Sequence, residues 1–111
     1  MNNNTEIQLG EKKYNITFGM TSFFTLANKS QERNDNNFVR HAANIIYSGI
    51  DNWCVVNEKP SPKYGEIYEA VDAEFAVEDG ATKLADIMEF HRNTTAGTKL
   101  YGSIEETKKK V

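Results

Sequence analysis

The sequence predicts an α+β fold, mostly α, in which an N-terminal β-hairpin packs on a bundle of about four helices. Three observations predict it. Apolar and polar residues alternate on both sides of Gly10, the pattern of a half-buried hairpin. From Met20 onward the apolar spacing changes to three and four, the period of a helix with one buried face. Pro60-Ser61-Pro62 and Glu78-Asp79-Gly80 then divide the helical pattern, because proline disfavours helix in the residue before it and glycine breaks periodic segments.

The hairpin covers residues 5–18. Ile7 and Leu9 precede the turn Gly10-Glu11-Lys12, and Tyr14, Ile16 and Phe18 follow it. A lone two-stranded hairpin is marginal in water, so its apolar face must lie on the helices. The first helix is expected at about 20–29, with Met20, Phe23, Phe24 and Ala27 as its stripe and Thr21 or Ser22 near its N-cap. Ser30 to Asn37 contains no apolar residue and reads as a solvated loop, extending the helix by one turn at most.

The second helix, 37–57, is the apolar centre. Phe38, Ala42, Ile45, Ile46, Gly49 and Trp53 share a face, and Asn36 or Asn37 can cap its start. Gly49 costs about 1 kcal/mol of helix propensity, which makes sense where a neighbouring element comes close. The third helix, 62–76, starts with Ser61 as cap and Pro62 as first residue. Its stripe is Tyr64, Ile67, Tyr68, Val71 and Phe75, and Glu66, Glu69, Asp72 and Glu74 are assigned mostly to the solvated face. The fourth, 80–94, follows Asp79 as cap and buries Leu84, Ile87, Met88 and His91. Trp53, Ile46 and Phe75 are expected in the core, where truncating Trp53 to Ala costs about 3–5 kcal/mol. Residues 1–97 form a single domain, and 98–111 are expected to be a flexible tail ending in Lys108-Lys109-Lys110-Val111.

The net charge of −3 and the pI of about 5.4 argue against nucleic acid as the main partner, since that binding is driven by neutralising phosphates. No apolar run approaches the roughly 20 residues of a membrane span. Met1-Asn2-Asn3-Asn4 has neither the basic nor the apolar region of a signal peptide, so the protein is expected in the cytoplasm. Cys54, the single cysteine, lies in the apolar run Trp53-Cys54-Val55-Val56 and reads as a buried thiol. His41, Cys54 and His91 lack metal-ligand spacing. Neither Gly-x-Ser-x-Gly nor a Gly-rich phosphate loop occurs. The expectation is therefore a protein without catalytic, metal or cofactor residues, whose work is to bind another protein. Its binding surface is placed on Ser30 to Asn37 and the exposed parts of the second and third helices. Tyr47 and Tyr68 are its candidate anchors, with Asn34 and Asn36 from the loop. Self-association is compatible with such a surface. The acidic residues of the third helix form either a plain solvated face or a docking surface for a basic helix.

The stretch Ile7-Gln8-Leu9-Gly10-Glu11-Lys12-Lys13-Tyr14-Asn15-Ile16-Thr17-Phe18-Gly19-Met20 resembles the N-terminal hairpin of phage tail assembly chaperones. Ile45-Ile46-Tyr47-Ser48-Gly49-Ile50 is similar to that family's helix with a Tyr-x-Gly-Leu-like segment, with Ile50 where Leu is commoner. Pro60-Ser61-Pro62 leads into an amphipathic helix as in the family, here unusually aromatic. The resemblance spans roughly residues 5–95. It implies a protein of the bacterial host cytoplasm, absent from the mature virion. There it would coat the tape-measure protein of a long non-contractile tail until tail-tube subunits replace it. Binding would be reversible, helix in groove, with no cofactor. The alternative expectation is a small intracellular adaptor or inhibitor that binds and regulates one partner protein. The family's frequent frameshifted longer product would map to the codons of Lys108 to Lys110, although a lysine-rich end is also an ordinary solubilising terminus.

Overall fold

The computed structural model describes residues 3–32 and 37–94. Strand β1 (Asn4–Leu9) pairs antiparallel with β2 (Lys12–Thr17), and Ile7 stands opposite Tyr14. Gly10 has φ +64 in the turn, a left-handed conformation that glycine adopts without steric cost. Four helices follow: α1 (Met20–Glu32), α2 (Phe38–Val56), α3 (Tyr64–Phe75) and α4 (Gly80–Arg92). This is the α+β, mostly α architecture that the alternation and the helical spacing predict.

Helix α2 packs against α1, β2, α3 and α4. Ala42, Ala43, Ile45, Ile46 and Ile50 are buried along it, and Cys54 closes the row. Ile7, Leu9, Ile16 and Phe18 of the hairpin segment are buried in the same cluster. Gly49 is where β2 meets α2. A Cβ there would stand 2.4 Å from Ile16 Cγ2 and 2.7 Å from Phe18 Cε1, so the glycine lets the hairpin seat directly on the helix. Asn37, rather than Asn36, is the cap: its Oδ1 accepts from the amides of Val39 at 2.9 Å and Arg40 at 3.3 Å.

Several sequence expectations are corrected. The α1 stripe turns the other way: Ser22 and Leu26 are buried, whereas Met20 and Phe24 are exposed. The reason is an unforeseen cap. Asn52 of α2 is buried, and its Oδ1 accepts from the amides of Gly19 at 3.1 Å and Ser22 at 2.8 Å. These bonds hold the Ser22 side of α1 against α2. Ser22 Oγ in turn donates to the Gly19 carbonyl. Helix α1 also runs on through Glu32.

Helix α3 begins at Tyr64, not Pro62. Ser61 does not cap it; its hydroxyl donates to Asp51 Oδ1 at 2.8 Å. Phe75 is exposed rather than buried, because the inward row of α3 is Ile67, Val71 and Glu74. Trp53 is half-buried at the edge of the core, so its truncation should cost less than the full aromatic value. Ile46 is buried as expected. Asp79 precedes α4 in a left-handed conformation, φ 65, and makes no side-chain cap. Gly80 after it is indispensable to the turn, since a Cβ there would lie 1.7 Å from the Glu74 carbonyl oxygen. On α4, Leu84, Ile87 and His91 are buried as the stripe predicts. The expected tail lies outside the described residues.

Glu74, assigned above to the solvated set, is a buried carboxylate that joins three elements. Its Oε1 accepts from Lys83 Nζ at 2.6 Å, and its Oε2 from the Gly10 amide at 3.3 Å. Lys83 Nζ also donates to the Gln8 carbonyl at 3.2 Å. The lysine hydrogen bond holds the Glu74 carboxyl below its ordinary range, against the opposing effect of burial. His91, edge-on to Phe18 at 4.7 Å between ring centroids, is pushed down to about 4 by burial, aided by the Arg92 charge.

Both shifts are depressions, so both contributions are full near neutrality and fade with acid. The His91 contribution is lost between its unfolded value of about 6.5 and its folded value, on the order of 3 kcal/mol in all. Glu74 follows below the ordinary carboxylate range of about 4.3. Lys83→Met should therefore lower stability by about 1–2 kcal/mol at pH 7, a charged hydrogen bond discounted for the half-exposed lysine. That difference should shrink below about pH 4. Urea midpoints of both proteins from about pH 3 to about pH 7 provide the check.

Candidate protein-binding surface

Large apolar side chains that stay exposed are the feature of this surface most in need of a reason. Beside Met20 and Phe24 on α1, they include Phe38 at 37%, Phe75 at 43% and Val77. Phe38 and Phe75 meet with ring centroids 5.6 Å apart. Residues 64, 68 and 75 fall on one flank of α3 by helical spacing, and they are Tyr64, Tyr68 and Phe75. This flank runs along the seam with α2.

Tyr47 and Tyr68 are brought into one cluster through Tyr64, which the stripe of the third helix assigns to the core. Tyr64 packs edge-on to Tyr47 at 5.3 Å and lies 6.2 Å from Tyr68. Its hydroxyl donates to Asn44 Oδ1 at 2.5 Å, which fixes the ring at the seam. The Arg40 guanidinium sits over the Tyr68 ring at 5.2 Å, a cation–π contact. Burial pushes the Tyr47 hydroxyl up, reinforced by Asp51. Tyr47, Tyr64 and Tyr68 are all half-buried, so each ring is held in place yet keeps a face for a partner. Asn34 and Asn36 lie outside the described residues.

At the Phe38 end, the surface opens into a hollow of about 340 Å³ between α2 and α4, lined by Phe38, Ala85, Met88, Glu89, Arg92 and Asn93. The surrounding charge is lopsided. From Tyr64 to Arg92 the carboxylates are Glu66, Glu69, Asp72, Glu74, Glu78, Asp79, Asp86 and Glu89, against Lys83 and Arg92 alone. Eight against two leaves the α3–α4 segment six charges negative, while the whole chain is −3; from outside the segment, Lys12 pairs with Glu66 and Arg40 sits over Tyr68. A second hollow lies between β2 and the α2–α3 connection, with Trp53, Tyr14, Lys12 and Lys13 in its walls. Two of its lining lysines already face carboxylates: Lys12 pairs with Glu66 at 3.4 Å and Lys13 with Glu6 at 3.7 Å, and Lys59 also lines the hollow.

Among the described residues, no three His, Cys, Asp or Glu side chains stand together as metal ligands. No helix there is long and apolar enough to cross a membrane. His41 is exposed on α2, and His91 is buried beside Phe18. Cys54 is buried, and burial pushes its thiol up, the opposite of what an activated thiolate needs.

Comparison of the chain with known protein families, characterised proteins and solved structures gives no match. Tyr47, Tyr64 and Tyr68 therefore rest on their geometry alone. Tyr64 was missed as a surface residue because a stripe at i, i+4 and i+11 reads as core when the angle between helices is unknown. The Met20 and Phe24 face was missed for a similar reason, since the capping atom comes from Asn52, thirty residues further along the chain.

Proposed function

We propose that this chain is a non-enzymatic protein-binding protein, and specifically a tail assembly chaperone for phages with long non-contractile tails. In this role it holds the tape-measure protein in the host cytoplasm until tail-tube subunits displace it. The observation that carries the protein-binding reading is the row of half-exposed aromatic rings at the α2–α3 seam. Aromatic side chains offer a large contact area with few rotatable bonds, which is why they dominate binding energy at interfaces. Three rings anchored to each other lose little freedom when a partner covers them. The hairpin, the Gly49 segment and the proline-led α3 support the finer reading through the sequence resemblance described above. No cofactor is required. The proposed binding mode lays an amphipathic helix of the partner along the seam.

Co-expression with the proteins encoded beside this chain, followed by co-purification, tests the proposal. The expected result is that a long helical tail protein becomes soluble and travels with this chain. Capture of no tail protein would sink the chaperone reading.

A further inference from the structure

The charge around the aromatic surface has a consequence for the partner's chemistry. We infer that the face formed by Phe38, Phe75 and Met88 receives an amphipathic helix with a lysine- or arginine-rich polar side. This rests on the protein-binding reading and adds the sign of the partner's charge.

Two observations meet at this face. The first is apolar. Phe38 and Phe75 are exposed although they touch each other, and Phe38 also lines the hollow that leads to Met88. A helix has apolar side chains every three or four residues. Laid over α3 and α4, it can set one on the phenylalanine pair and the next in the hollow. The second is electrostatic. Asp72, exposed, precedes Phe75 by three residues and so stands on the same side of α3. Glu89 lines the hollow itself. Beyond them the α3–α4 segment carries its excess of carboxylates, with Arg40 of α2 engaged on the Tyr68 ring. A helix with an acidic polar side would meet this field as repulsion, and one with a basic side as attraction. Arg92 is the one cation in the hollow's wall, so the partner's cations should meet the Asp72 side.

The test uses the full chain and two synthetic helical peptides of about 18 residues with the same leucine spacing. One carries lysine at its polar positions and the other glutamate. The lysine peptide should bind, and its affinity should fall with rising ionic strength. The double substitution Phe38→Ser, Phe75→Ser should weaken it by about tenfold or more, as should Asp72→Lys with Glu89→Lys. Phe24→Ser, on α1, should leave it unchanged.

Equal binding of the glutamate peptide would overturn the charge assignment. Binding of neither peptide would overturn the inference, while capture of a tail protein by the same preparation would keep the chaperone reading. Conversely, lysine-peptide binding without tail-protein capture would leave the inference standing and remove only that reading. Loss of binding in Phe24→Ser alone would place the site on α1. If the wild-type chain sediments as a dimer that Phe38→Ser, Phe75→Ser dissolves, the face belongs to a second copy and the inference fails.

Discussion

Phe18→Ala should lower the unfolding free energy by about 3–5 kcal/mol, enough to put much of a marginally stable domain at risk. Phe18 has no exposed surface. Its ring lies against the Gly49 backbone position, 6.1 Å from the Phe90 ring and 4.7 Å from the His91 ring. It therefore ties the end of the hairpin to both α2 and α4. Truncation leaves a cavity whose walls are a glycine and two rings on a rigid helix, so little can collapse into it. Phe18→Leu should recover most of the loss, because volume and apolarity are nearly kept. Urea denaturation followed by circular dichroism measures both. A Phe18→Ala midpoint within error of the wild type would show that the hairpin does not seat on Gly49.

Asn52→Ala should cost about 2–6 kcal/mol, from two amides each left without an acceptor at about 1–3 kcal/mol. The acceptor they lose is the single Oδ1 that holds Gly19 and Ser22. The Ser22 amide is buried and has no ready water to replace it. The effect should be regional as well as global. Amide hydrogen exchange should speed up in the first turn of α1 well before the α2 core is affected. Asn52→Asp should cost less than Asn52→Ala, since the acceptor survives and a negative charge favours a helix N-terminus. Equal exchange rates for Asn52→Ala and wild type across residues 19–23 would refute the capping role.

These two residues also mark where the sequence is readable and where it stops. Phe18 and Gly49 are legible: alternation turns Ile16 and Phe18 to one side, and a glycine in an apolar helix asks for a close neighbour. Both statements concern one element at a time. Asn52 is illegible because an asparagine inside α2 carries no local mark of the helix end it caps. Once that cap is fixed, Ser22 and Leu26 face inward and Met20 and Phe24 cannot. Glu74 is hidden for the same reason, since its partners Lys83 and Gly10 come from other elements.

The candidate surface follows the same division. Tyr47 and Tyr68 are legible as aromatics expected to stay partly exposed on α2 and α3. Tyr64, the ring between them, depends on how α3 crosses α2. Phe75 was misplaced because the buried row of α3 ends on a charged residue, Glu74, whose inward turn is made possible by Lys83.

The most direct measurement of the central claim is capture of the co-expressed tail protein by the variant Tyr47→Ala, Tyr68→Ala. Its circular dichroism spectrum and thermal midpoint should first be checked against the wild type. Both rings are half-buried and face Tyr64, so a folded variant keeps the core while losing the surface anchors. The proposal predicts that the folded variant no longer co-purifies with a partner that the wild type retains. Undiminished co-purification by a folded variant would contradict it.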